Sequence, residues 1–317
     1  MKVRDVTDAA PDAPELLVLR ALKLGDLLVA VPAIHAVRRA RPEHRLILAM
    51  PEWLRPIVEL VGGVDALHPT PGLDELLPIA PGRIDTAINM HGNGPESRGV
   101  ITALRARSVV SHDGDGPVWL DGILERRRWV RLVEAFGMPG DPDDVAIERP
   151  VVAAPVSGAA VVHVGAFYGS RRWPVSRFAR VAEALASDGR QVVFTGSEAE
   201  RPRALEVARR AGFSDESVLA GRMRLDEFAA EIADAELVVS ADTGAAHLAS
   251  AYGIPSVVLF GPAPPEEWGP PPGPHIVLTD ASARRGETFS AEPDPALLAV
   301  TVADVLAAVA DLPRQRR

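Results

Sequence analysis

Leu237-Val238-Val239-Ser240-Ala241-Asp242-Thr243-Gly244-Ala245-Ala246-His247 joins an apolar strand candidate to a short helix candidate running to Tyr252. A second apolar run, Ser256-Val257-Val258-Leu259-Phe260, follows at once. Four- to five-residue runs of β-branched and leucine residues on either side of a helix describe a β-α-β unit with buried parallel strands. Such a unit turns an acid, a hydroxyl, a glycine and the first N–H groups of a helix outward at the carboxyl end of a strand. That is where open α/β sheets bind ligands, and a helix N-terminus suits an anion. The tripeptide Asp-Thr-Gly alone also occurs in aspartic-protease sites and in plain turns, so the strand-turn-helix context carries the reading.

The same alternation extends in both directions. Leu16 to Leu19, a helix from Leu27 to Arg39 and Leu46 to Ala49 form a β-α-β unit near the start. A helix at Leu54 to Val61 and strands near Ala66 to His68 and Thr86 to Met90 continue it, and Trp119 to Phe136 reads as a longer helix. Gly137 to Pro155, rich in proline and aspartate, reads as a linker. Beyond it come strands at Ala160 to Val164, Gln191 to Phe194 and Ser217 to Leu219, with helices at Val175 to Ser187, Ala199 to Ala211 and Leu225 to Ala233. Thr301 to Val309 reads as a closing helix that packs back on the first domain, and Pro262 to Pro274 as a rigid loop. The expectation is α/β: a domain over residues 1–155 with a loose leader containing Pro11 and Pro14, and a second over 156–317.

Composition narrows the function classes. With 317 residues, 47% hydrophobic and 24% charged, the chain is long enough for two cores. The absence of cysteine removes disulfides, thiolate nucleophiles and cysteine metal sites. Asp5, Asp8, Asp12 and Glu15 interrupt the first twenty residues, which argues against a signal peptide, and a cytoplasmic chain is the simplest expectation. A net charge of -9 and 5% aromatic residues argue against a nucleic-acid partner. Basic groups are local: Arg126-Arg127-Arg128, expected mainly as a solvated helix face, Arg171-Arg172, and Arg314, Arg316 and Arg317. The histidines are scattered without metal-ligand spacing, so no metal site is expected.

Four loops hold the chemistry. In Arg20-Ala21-Leu22-Lys23-Leu24-Gly25-Asp26, the acid either deprotonates a hydroxyl or caps the following helix. No G-x-G-x-x-G fingerprint accompanies it. In Gly165-Ala166-Phe167-Tyr168-Gly169-Ser170-Arg171-Arg172-Trp173-Pro174, Arg172 is placed to hold a diphosphate, with Ser170 as a lesser contact. A solvent-facing arginine pair is the plain alternative. Thr195-Gly196-Ser197-Glu198 offers Glu198, or Glu200 beyond it, to a ribose or amino group, although both acids also suit a helix start. His247 either faces the anion site of Thr243, Gly244 and Ala245, orients Asp242, or is an ordinary buried histidine.

Taken in order, these motifs resemble glycosyltransferase family nine, the ADP-heptose:lipopolysaccharide heptosyltransferases. The resemblance runs through Leu19 to Pro32, Asn89-Met90-His91-Gly92, His163-Val164-Gly165, Arg171 to Pro174, Thr195 to Glu198 and Asp242 to His247, covering roughly residues 16 to 309. It implies a GT-B architecture of two doubly wound Rossmann-like domains facing across a cleft. It also implies inverting transfer of a heptose or related sugar from an ADP-sugar to an acceptor hydroxyl, without cofactor or metal. Asp26 would be the base; Arg172, Ser170, Thr243, Gly244, Ala245 and His247 would hold the diphosphate; Glu198, Asp242 and Gly165 would meet the nucleoside or sugar. Gly25, His91, Gly92 and Asn93 would lie on the acceptor side. A membrane-borne acceptor would place the protein peripherally on the inner face of a membrane. Three other readings stay open: transfer from another nucleotide sugar to a small-molecule acceptor, a GT-B sugar-nucleotide epimerase, and a nonenzymatic nucleotide-binding scaffold.

Overall fold

The structure, a computed structural model, describes residues 3–5, 13–112 and 114–313. Pro11 of the leader, and Arg314, Arg316 and Arg317, lie outside the described residues. The described chain divides into two compact units, Met1–Glu148 and Arg149–Arg317.

The first unit is a parallel sheet of six strands: β1 (Arg4–Asp5), β2 (Glu15–Leu19), β3 (Arg45–Met50), β4 (Ala66–Pro69), β5 (Thr86–Asn89) and β6 (Ser108–Val110). Their order is β1-β4-β3-β2-β5-β6. Part of the expected loose leader is therefore an edge strand, Arg4 and Asp5 pairing with Ala66 and Leu67. The order reverses between β2 and β5, so the loops leaving those two strands flank a topological switch point. Apolar residues of the central strands, among them Leu17, Leu19, Ile47, Ala49 and Ala87, pack with Val100, Ile101 and Leu104 into one core.

Two elements of this unit depart from expectation. Helix α1 (Leu24–Ala40) begins earlier than its apolar spacing indicates, because Lys23 is extended and the Asp26 side chain accepts from the Lys23 N–H at 3.2 Å in a capping box. Gly25 and Asp26 thus lie in the first helical turn instead of in a loop before it. Pro32 stands inside the same helix, where it removes one main-chain hydrogen bond. Following α2 (Arg55–Val61) and α3 (Pro95–Ala103), the longer helix read at Trp119 to Phe136 is shorter, α4 (Glu125–Glu134). Nor is its basic run a solvated face. Arg126 and Arg128 are buried, Arg126 pairing with Asp143 at 2.9 Å and Arg128 with Glu125 at 2.8 Å, while Arg127 is exposed.

The second unit is a parallel five-stranded sheet of β7 (Ala160–His163), β8 (Val192–Thr195), β9 (Leu237–Ala241), β10 (Ser256–Leu259) and β11 (His275–Leu278). Its order, β11-β10-β9-β7-β8, reverses between β7 and β9. Helices α5 (Val175–Ser187), α6 (Arg201–Arg210), α7 (Leu225–Ala233) and α8 (Gly244–Tyr252) provide the crossovers. Ser217 to Leu219 is not a full strand: a 3-10 turn, Asp215–Ser217, precedes a single bridge from Val218 to Phe194. The proline-rich stretch is not uniformly extended, since it holds the short α9 (Pro265–Trp268). After α10 (Pro295–Ala299), the closing helix α11 (Val302–Asp311) is built into the second unit's own core. Val305, Ala308 and Val309 pack with Phe178, Trp173, Val257 and Leu259.

Candidate functional site

Each unit gathers its chemistry at the carboxyl ends of the two strands beside its switch point. In the first unit, β2 leads into Arg20 and the Asp26 turn of α1, and β5 leads into His91. The Asp26 carboxylate divides its oxygens: Oδ2 takes the Lys23 N–H, and Oδ1 lies 3.7 Å from the Arg20 guanidinium. Capping and exposure to a substrate are therefore not alternatives, since Asp26 caps α1 and remains a quarter exposed.

Arg20, which sequence reasoning passed over, is 2% exposed. It donates to the main-chain carbonyls of Asp26 and Met90 and lies 4.7 Å from the Trp129 ring centroid. Burial pulls its pKa down, and the charges of Asp26 and Glu125 oppose that shift. Asn89 shapes the next loop: its side-chain oxygen accepts from the His91 N–H at 3.1 Å, and its amide donates to Ser97 at 3.1 Å. The Ser97 hydroxyl reaches the Gly92 carbonyl at 3.4 Å, and Asn93 accepts from Arg98. The buried Nδ1 of His91 has no hydrogen-bond partner. Desolvation lowers the His91 pKa, Arg20 lowers it further, and Asp26 acts in the opposite sense. His91 thus feels both Arg20 and Asp26, and a neutral imidazole is the favoured form.

In the second unit, β9 delivers Asp242, 2% exposed, to the start of α8. Asp242 pairs with Arg171 Nη1 at 3.1 Å, out of line for a hydrogen bond, and with His247 Nε2 at 3.6 Å. Arg171 also donates to the Asp242 carbonyl at 3.2 Å. Thr243 is the N-cap of α8 but makes no side-chain cap; its hydroxyl instead meets Ser240 Oγ at 2.9 Å. The first-turn N–H groups of Gly244 and Ala245 consequently have no side-chain cap, as an anion site requires. Ala245 itself is buried and offers only its main chain. A shallow recess beside this cluster is lined by Asp242, His247, Phe260 and Trp268.

The β7 loop sends its polar side chains to different surroundings. Arg171, not Arg172, joins Asp242 and His247. Arg172 is exposed, donates to the Ala166 carbonyl at 3.1 Å, and lies close enough to Arg203 for their charges to interact. Ser170 is fully buried and bridges to the 288–294 segment: its hydroxyl donates to the Thr288 carbonyl at 2.5 Å and its N–H to the Ser290 carbonyl at 2.9 Å. It serves the loop's shape and takes no place in the anion cluster.

At the β8 end, Glu198 and Glu200 lie in different surroundings. Glu198 is exposed, with its backbone against Gly221. The Glu200 carboxylate accepts from the Ser197 N–H and hydroxyl at 2.7 and 2.8 Å and presses against Gly165, where an added Cβ would stand 2.3 Å from Glu200 Oε2. Gly165 is therefore the clearance that admits Glu200. His163 Nδ1 meets Thr195 Oγ1 at 2.9 Å beneath it, and burial pulls the imidazole down to about 4 against the opposing charge of Glu200. Among the described residues no cluster of three His, Asp or Glu side chains is arranged to hold a metal ion.

Two doubly wound units, each with a switch point in its parallel sheet, define a GT-B fold. The family resemblance is borne out in the same region: residues 143–289 match the model of glycosyltransferase family 9 (heptosyltransferase), a stretch holding the whole second-unit cluster. The chain is 34% identical over 152 residues to lipopolysaccharide heptosyltransferase 1 of Pseudomonas aeruginosa, covering 46% of this chain and 42% of that protein. It is 33% identical over 106 residues to lipopolysaccharide heptosyltransferase 2 of Escherichia coli, covering 32% and 30%. These matches span less than half the length of the curated relatives. In fold the likeness extends along the chain. A family 9 glycosyl transferase from Veillonella parvula superposes with a TM-score of 0.74 over 98% of this chain and 97% of its own, at 19% identity. The E. coli ADP-heptose LPS heptosyltransferase II does so at 0.71 over 93% and 97%, at 20% identity.

Proposed function

We propose that this protein is an inverting glycosyltransferase that moves a heptose or closely related sugar from an ADP-sugar to an acceptor hydroxyl. The observation that carries the proposal is the uncapped start of α8 at the β7–β9 switch point, flanked by Arg171 and His247 that are both anchored on Asp242. A leaving diphosphate gains negative charge as its bond to the anomeric carbon breaks. Fixed N–H groups and a guanidinium stabilise that charge more in the transition state than before it. These protein groups supply the stabilisation in the proposed mechanism, with no step assigned to a metal.

The acceptor oxygen attacks the anomeric carbon from the face opposite the diphosphate. Its proton passes to the Asp26 carboxylate, the glycosidic bond forms, and ADP departs with the electron pair of the broken bond. Glu200 and its Gly165 clearance suit the ribose hydroxyls, and Arg172 acts as an outer cation for the diphosphate. Gly92, Asn93 and His91 belong to the acceptor side. The ADP-heptose donor is carried over from the similar heptosyltransferases; a cytoplasmic reaction, with the acceptor met from the inner face of a membrane, is part of the same proposal. No helix among the described residues is long and apolar enough to cross one.

The test is a mass-spectrometric screen of ADP-heptose and other nucleotide sugars against a diverse acceptor pool. The expected result is ADP release matched by a heptosyl mass gained on one acceptor. Depletion of a nucleotide sugar without a transferred mass, or transfer confined to donors with another base, would sink the proposal.

A further inference from the structure

The guanidinium of Arg20 is buried beneath the Asp26 turn. Burying a cation is unfavourable unless its donors find partners, and Arg20 directs two of its nitrogens to main-chain oxygens. One nitrogen donates to the Asp26 carbonyl and another to the Met90 carbonyl, in α1's first turn and immediately before His91 respectively. The Trp129 ring of α4 covers the guanidinium at 4.7 Å. A single planar group thus joins three elements, and its fork geometry sets the spacing between two of them.

The Asp26 side chain completes the arrangement. Its Oδ2 is held by the Lys23 N–H, while Oδ1 lies 3.7 Å from Arg20, beyond hydrogen-bond length yet within strong electrostatic reach. Oδ1 therefore makes no hydrogen bond to Arg20, and the Asp26 side chain remains a quarter exposed. The Met90 contact fixes the loop that carries His91, whose Nδ1 has no partner within the protein.

We propose that Arg20 is a positioning residue: it locks the Asp26 turn and the His91 loop into one geometry, so that the acceptor hydroxyl meets Asp26 Oδ1. This rests on Asp26 being the base. Arg20 itself forms and breaks no bond with substrate, so its loss acts through Asp26.

The experiment is a double-mutant cycle of Arg20→Gln with Asp26→Asn, read as transfer from ADP-heptose to the acceptor found in the screen. Melting temperature and ADP affinity are measured on every variant. Arg20→Gln is expected to lower kcat on the order of a hundredfold, the scale of a misplaced reacting group. The donor KM and ADP affinity should stay within about twofold, since the donor groups lie in the second unit. Arg20→Lys, which keeps the charge but not the fork, should recover only part of the rate. The double variant should be no slower than Asp26→Asn alone, because a positioner has nothing left to position.

Multiplicative losses in the double variant would overturn the proposal, as would a kcat within about threefold of wild type in Arg20→Gln. If Arg20→Gln does not fold, the Arg20→Lys cycle carries the same two outcomes. An inactive wild type, or an Asp26→Asn variant with normal turnover, overturns the base assignment and this proposal together. A dead Asp26→Asn beside a healthy Arg20 variant overturns this proposal alone.

Discussion

Arg171 and Arg172 are neighbours of identical chemistry, yet the 3-10 turn Gly169–Arg171 sends them to different surroundings. Arg171 is drawn onto buried Asp242, whereas Arg172 stays exposed. A charged hydrogen bond contributes about 1.5–3 kcal/mol, so Arg171→Ala should weaken ADP binding about 10- to 100-fold, and Arg172→Ala by clearly less. Isothermal calorimetry with ADP decides it; equal losses, or a larger one at Arg172, would return the diphosphate contact to the outer arginine. No pattern in the sequence separates the two residues, because the distinction arises from a buried carboxylate 71 residues away. At Asp26 the sequence was more legible, since an acid before an apolar helix already suggests both cap and base. Asp26→Asn preserves an acceptor for the Lys23 N–H while removing basicity. Transfer should fall at least about a thousandfold, at the scale of general-base loss, with ADP affinity unchanged; near-normal turnover would end its assignment as base.

The two glycines of the loop after β7 look alike in the sequence and differ in what they accommodate. A Cβ on Gly169 would stand 1.7 Å from the main-chain oxygen of Ala291, which cannot rotate away. At Gly165 the obstruction is the Glu200 carboxylate, the far end of a flexible side chain. Gly169→Ala should therefore destabilise the second unit by about 1–3 kcal/mol, the usual scale of overpacking. Gly165→Ala should leave the melting temperature nearly unchanged and weaken ADP binding by displacing Glu200. Thermal melts with ADP titrations test the pair; a stability loss confined to Gly165→Ala would reverse the assignment. Most elements were legible because short β-branched runs and intervening helices repeat in order. Helix α4 was read poorly for an electrostatic reason. A run of three arginines signals a solvated face, but Asp143 and Glu125 neutralise two of them, allowing burial that composition cannot reveal. The start of α1 was missed by three residues because the Asp26 cap, rather than apolar periodicity, sets it.

For the second unit as a folded body, the most informative titratable group lies outside the proposed chemistry. Glu231 of α7 has no exposed surface; one carboxylate oxygen accepts from the Val156 N–H at 2.9 Å, and the other has no partner. Desolvation, reinforced by Asp234 and opposed by the Val156 hydrogen bond, pushes its pKa up from 4.5 to about 7. The folded state therefore holds a proton that the unfolded chain releases at lower pH. The stability associated with that proton is fully present below 4.5 and is lost as pH rises through about 7. At about 1.4 kcal/mol per pH unit, the loss is on the order of 3 kcal/mol. Val156 lies in the segment entering β7, beside Ser157 and Gly158, which both donate to Asp234, so charging Glu231 weakens the attachment of that segment to α7. Glu231→Gln removes the titration with little change in shape. Urea unfolding at pH 5, 6, 7 and 8 should show wild type losing stability relative to the variant up to about pH 7, followed by a constant offset. Parallel stability profiles would mean that Glu231 is already ionised in the fold, with a counter-charge or water satisfying its second oxygen.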